Sequence, residues 1–204
     1  MSQENAPDQK GKKKKKAQKA EPIRSLKDIK KVLRVLEGQP RNHLLFVFGI
    51  NTGLPLSTIL KLKAGDAKEL LKAVKEGRPY KPNSETWKYV QINKMLAKEL
   101  KAYLAANQSW KDTDFLFKSQ KGKGALTSKS VGRLIKKGTK EAGLKGSYGC
   151  HSLRKTFAYH QRTRHGVGLD VLSKIFGHNS PAATRDFLGI DKDTPVSIHE
   201  NEIV

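Results

Sequence analysis

The sequence predicts a mixed α/β (α+β) fold, mainly helical, with a small antiparallel sheet. Apolar residues recur at helical spacing through most of residues 25–190, and Ser/Thr caps and Gly or Pro stops punctuate them. One stretch, TWKYVQI (86–92), alternates instead as a strand does. With 204 residues the chain suits one ordinary domain and an appendage.

Residues 1–20, MSQENAPDQKGKKKKKAQKA, carry seven lysines, two acids and no large apolar residue after Met1. Such a stretch buries too little to offset its ordering entropy, so residues 1–21 are expected as a disordered Lys-rich arm. It is either a solubilising tail or a basic arm that follows a phosphate backbone through Lys12, Lys13, Lys14, Lys15 and Lys16. The folded part is expected over 22–190, and 191–204 form a C-terminal tail.

Ser25 caps a helix over LKDIKKVLRVL, with Asp28 in its first turn, and Gly38-Gln39-Pro40 closes it. A second helix covers 42–51, and Gly53 and Pro55 break the chain before a third at 57–63. AGDAKELLKAVK is helical, TWKYVQI is the strand, and KMLAKELKAYLAAN is helical again. DFLF is a short apolar segment, followed by the basic loop KSQKGKG (118–124). TSKSVGRLIKKGTKEAGL starts on Thr/Ser caps and ends at Gly143. Helices then follow from His151 and over DVLSKIF, with a short one after Ser180 and Thr184, both expected as cap residues. Phe46, Phe48, Trp87 and Phe157 are expected in the core, with Cys150 as a small buried residue.

The charge narrows the function classes. Forty-one Lys and Arg against 19 Asp and Glu give +22, of which five lie in the arm and 17 on the rest. A charge that large repels itself in a compact fold and suits a polyanionic partner. Nucleic acid is the first candidate and an anionic membrane surface the second. No apolar run reaches the roughly 18 residues of a membrane span, and no apolar segment follows the lysines as in a signal peptide. Together these point to a cytoplasmic protein, associated with the nucleoid when bound to DNA. A lone cysteine excludes an internal disulfide and a multi-Cys metal site. No metal and no cofactor is expected. On charge and position, DNA contacts fall to the arm, to Lys121, Lys123, Arg133, Lys136 and Lys137, and to Arg185.

Two segments carry the chemistry: HSLRKTFAYH (151–160) and LSKIFGHNSPAATRDF (172–187). Together they resemble the catalytic domain of the tyrosine recombinase (phage integrase) family, which places His-x-x-Arg at a helix start, then Gly-His, then Tyr nine residues on. His151, Arg154, Gly177 and His178 fall in that register. Upstream, SLKDIKKVLRVL is similar to the family's opening helix, and NTGLPLSTILKLKAGD to its Thr-Gly-Leu-Arg box. The resemblance spans about residues 25–190. It implies a metal-free phosphodiester chemistry: cations neutralise the phosphate, histidines donate or exchange protons, a Tyr attacks, and a hairpin Lys protonates the leaving oxygen. Arginine suits the phosphate because its planar fork matches two oxygens. It also implies double-stranded DNA as partner, with other recombinase protomers assembled on it. The hairpin lysine falls to Lys81 or Lys88, and each is equally a solvated strand-end lysine.

Three positions depart from the family pattern. Pro55 stands at the first Arg, Thr58 at the acid after it, and Phe187 at the nucleophilic Tyr. Losing one such cation costs about 10²–10³ in rate, and losing the nucleophile removes the covalent route. Tyr159 and Tyr148 are the other tyrosines considered as a replacement nucleophile. The leading expectation is a DNA-binding protein that no longer cuts. The alternatives are an active recombinase using another Tyr, its own or a partner's, and a basic RNA- or protein-binding module. With only about 21 residues ahead of the folded part, the family's preceding clamp domain is expected to be missing, and 191–204 are expected either to dock on a neighbour or to stay unpacked.

Overall fold

The computed structural model describes residues 19–80, 90–122 and 124–190. Lys12 to Lys16, Lys81, Trp87, Lys88, Lys123 and the tail 191–204 lie outside the described residues. Within them run α1 (Leu26–Leu36), α2 (Pro40–Thr52), α3 (Leu56–Lys61), α4 (Ala64–Lys75), α5 (Lys94–Ala105), α6 (Ser128–Glu141), α7 (Cys150–His165), α8 (Leu169–Phe176) and α9 (Pro181–Leu188).

Local chemistry places the helix starts. Ser25 Oγ accepts from the Asp28 amide, Asn93 Oδ1 from Leu96, and Thr127 Oγ1 from Ser130. Each satisfies a backbone donor that the first turn leaves orphaned. Pro40 opens α2 two residues before the predicted start, because a proline at the first helical position has a pre-set φ and no amide to satisfy.

Leu44, Leu45, Phe46, Val47 and Phe48 are all buried, so α2 is apolar on every face. Its neighbours α1, α3, α5 and α7 cover it. The approach to α7 is very close. A Cβ on Gly49 would sit 2.8 Å from Leu153 Cδ1. One turn on, Gly53 ends α2 at φ +62, and a Cβ there would overlap the Phe157 ring. Only glycine permits that turn and that contact together. The result seats the start of α7 against the α2–α3 junction.

Helix α7 joins two cores. Leu153 belongs to the large one, centred on α2. Ala158 belongs to a smaller one with Leu172, Phe176 and Leu188, against which Phe157, Tyr159 and Phe187 pack.

The expected antiparallel sheet is corrected. Among the described residues, three isolated antiparallel bridges stand in its place: Lys63–Phe115, Tyr80–Val90 and Lys118–Ala125. Lys63 is the N-cap of α4 and Asn93 the N-cap of α5, so helical backbone ends two of these pairings almost where they begin. Of TWKYVQI only Val90, Gln91 and Ile92 are described, and Val90 exchanges both backbone bonds with Tyr80 at 2.7 and 2.9 Å. Cys150 is half-buried rather than buried, because it opens α7 on the wall of a cavity. No described helix is long and apolar enough to cross a membrane.

Candidate functional site

The cavity that Cys150 borders holds about 290 Å³ and is lined by Pro55, Ser57, Ser128, His151 and Arg154, among others. Pro55 is the N-cap of α3, while His151 and Arg154 occupy the first two turns of α7. The packing of α2 on α7 thus brings the Thr-Gly-Leu-Pro turn against the His-x-x-Arg turn. His151 is exposed at the rim.

Arg154 is half-buried. Its Nη2 donates to Phe176 O at 3.1 Å, and the guanidinium lies 4.4 Å from the Phe176 ring centroid. Phe176 ends α8, so this cation meets the negative end of a helix. Burial pulls the Arg154 pKa down to about 10, and the group stays protonated at neutral pH.

His178 follows Gly177, whose φ of +67 lets α8 stop and the chain turn back. Its Nδ1 lies 2.9 Å from Thr184 Oγ1, which lies 2.7 Å from Ser173 Oγ. Ser173 Oγ donates to Leu169 O at 2.7 Å. A carbonyl only accepts, so each proton in this chain points toward it. Ser173 therefore accepts from Thr184, and Thr184 accepts from an Nδ1–H. The neutral imidazole then presents Nε2 as a proton acceptor. Burial, aided by the Arg154 charge, holds the His178 pKa below the usual histidine value. Thr184 was expected as a cap residue; it is instead wholly buried as the partner of His178. Ser180 does cap α9, accepting from the Ala183 amide.

The Phe187 ring lies 5.1 Å from the His178 ring and 5.8 Å from that of Phe176. Lys155 Nζ lies 5.1 Å from its centroid. A proton acceptor therefore stands beside a ring with no proton to give. Around it the guanidinium of Arg154 and the imidazole of His151 suit an anion at the cavity mouth. Among the described residues no group of three His, Cys, Asp or Glu is placed to hold a metal.

The other sequence candidates divide by place. Lys121, Arg133 and Lys137 line a separate cavity of about 570 Å³ with Arg41, and Lys137 also reaches Glu141 at 3.7 Å. Lys136 is exposed on α6 but is not in that wall. Arg185 is half-buried on α9, two residues before Phe187. Tyr159 packs between Arg24 and His160. Tyr148 donates to Lys145 O at 3.2 Å, and burial raises its pKa. Sequence reasoning missed Thr184, Ser173 and Lys155. The only signal for Lys155 was its place directly after Arg154.

The sequence profile of the phage integrase family matches residues 24–193. The chain is 34% identical over 164 residues to the probable integrase/recombinase YoeC of Bacillus subtilis (strain 168), covering 78% of this chain and 83% of that protein. Among solved structures, XerA recombinase superposes with a TM-score of 0.68 at 23% identity, covering 87% of this chain and 62% of that one. The XerH site-specific recombinase bound to its difH substrate, in a pre-cleavage complex, gives a TM-score of 0.59 at 24% identity, with 85% and 52% covered. The chain spans less than two thirds of either solved chain, and at these identities the likeness is one of fold.

Proposed function

The chain belongs to the phage integrase family, and on that premise we propose that it is a DNA-binding protein whose site grips a backbone phosphate without cutting the strand. One observation carries this reading. His178, oriented to accept a proton, faces the bare Phe187 ring at 5.1 Å. A second observation supports it: Pro55, not a cation, sits on the cavity wall with His151 and Arg154. Phosphate capture needs the Arg154 charge and the His151 imidazole that remain, whereas covalent strand transfer also needs an attacking oxygen.

DNA as the partner is supported by the +22 charge and by the DNA complex of XerH. In this reading residues 22–190 form the integrase-like unit, with the arm (1–21) and Lys121, Arg133, Lys136, Lys137 and Arg185 adding phosphate contacts.

A gel-shift titration with duplex DNA at two salt concentrations tests binding. Strong binding at low salt that weakens steeply at high salt is expected, since each phosphate contact releases about one counterion. No binding at low salt would sink the reading. A nicked suicide substrate tests cleavage, and a trapped covalent adduct would establish an active recombinase instead.

A further inference from the structure

Lys155 is the one side chain beside the site whose burial the site's description leaves unused. It is only 8% exposed, yet among the described residues it makes no hydrogen bond and no salt bridge. Its ammonium stands over the Phe187 ring, which also touches His178. It lies one helical turn after His151, on the same face of α7, and directly after Arg154.

An ammonium on a side chain only 8% exposed is poorly hydrated and gains from meeting an anion. The charged neighbours on the chain do not provide one. Lys19 repels it. Glu21 attracts it, but the Glu21 carboxylate accepts from the Ser147 amide at 3.0 Å and forms no ion pair with Lys155. Burial accordingly lowers the Lys155 pKa. A ring face attracts a cation but takes no hydrogen bond of ordinary strength from it. Groups held in such unsatisfied surroundings beside a cleft are functional candidates.

We infer that Lys155 is a second cation of the site beside Arg154, donating from Nζ to a non-bridging oxygen of the DNA backbone phosphate that His151 and Arg154 approach. The inference rests on the proposed DNA binding. It assigns a positive charge next to the ring that lacks a hydroxyl.

Fluorescence anisotropy with labelled duplex, from about 50 to 200 mM salt, tests it through the slope of log affinity against log salt. Lys155→Met is expected to weaken binding about tenfold, as for loss of a charge-assisted hydrogen bond. The same variant should reduce the slope by about 0.9, one phosphate contact. Lys155→Arg should keep most of the slope. The melting temperature of Lys155→Met should hold or rise, because a buried charge has been removed. Should Lys155→Met fail to fold, Lys155→Gln gives the same neutral comparison. Wild type that binds DNA while the neutral variant keeps the full slope would overturn the inference and leave the DNA reading intact. Wild type that binds no duplex at low salt would overturn both.

Discussion

His178 and Thr184 share a hydrogen bond of 2.9 Å that decides which imidazole nitrogen faces the site. Thr184 passes its own proton to Ser173, so it accepts from His178 and turns Nε2 outward. Replacing Thr184 with Val keeps the shape and deletes the acceptor. The expected loss is about 1–2 kcal/mol of stability, the ordinary cost of stranding a buried polar group. Nitrogen-detected NMR should show the Nδ1–H tautomer in wild type and a mixture in Thr184→Val. An unchanged tautomer would mean that another group orients the ring.

Stability should fall on mild acidification. His160 Nε2 donates to Ile23 O at 3.0 Å, and its Nδ1 is buried with no partner among the described residues. Burial lowers the pKa of His160, against the raising effect of the Ile23 bond, and it lowers that of His178 too. The unfolded chain protonates both near pH 6.5 and the folded chain only further down. Their stabilisation is thus present above about pH 6.5 and is lost as pH falls through the lowered folded values. Melting temperatures between about pH 7.5 and 5 should decline in wild type and flatten in His160→Gln with His178→Gln.

DNA affinity should move the other way with pH. Neutral His178 offers a phosphate only a lone pair, whereas the protonated ring offers an Nε2–H. Affinity measured at constant salt should rise as pH falls through the lowered His178 value, below the ordinary histidine range of about 6.5. In His178→Gln the extra rise should vanish. A pH-independent wild-type affinity would remove His178 from the phosphate contacts.

Gly49→Val should destabilise the protein by about 1–3 kcal/mol, the usual cost of overpacking. The added atoms would meet Leu153, 2.8 Å from the first of them. Leu153→Ala in the same chain should recover part of the loss, a coupling that a double-mutant cycle of melting free energies detects.

Restoring cleavage should take two changes. Phe187→Tyr supplies a hydroxyl beside His178, but the cavity wall still carries Pro55. The single variant should leave a suicide substrate uncut, and Pro55→Arg with Phe187→Tyr should trap a covalent adduct. Pro55 has an extended backbone at φ −56, ψ 138, which arginine adopts without strain. Cutting by the single variant would show that the missing arginine matters little.

What the sequence revealed was what the chain encodes locally or through a fixed register. Ser25, Asn93 and Thr127 act on amides three residues away, so their helices were readable one at a time. His151, Arg154, His178 and Phe187 came from motif spacing. The sheet did not survive because Lys63 and Asn93 turn directly into helices, which alternation of apolar residues does not reveal. The Thr184–Ser173 relay joins hydroxyls 11 residues apart on two helices, and the sequence does not distinguish them from capping residues. Lys155 looked like one more lysine in a chain rich in them, and only the packing of α9 on α7 isolates its charge.

The segment before α1 has a practical bearing on how this protein is produced. Glu21 pairs with Ser147, Ile23 bonds through its amide to Thr156 and through its carbonyl to His160, and Arg24 Nη2 reaches Gly189 O. Three residues thereby latch α7 and the loop before it to the end of α9, the two helices that carry Lys155 and Phe187. A recombinant version trimmed to start at the first helix would retain every site residue but lose the latch that holds them in alignment. Expression boundaries, tags and cleavage sites therefore belong upstream of Glu21.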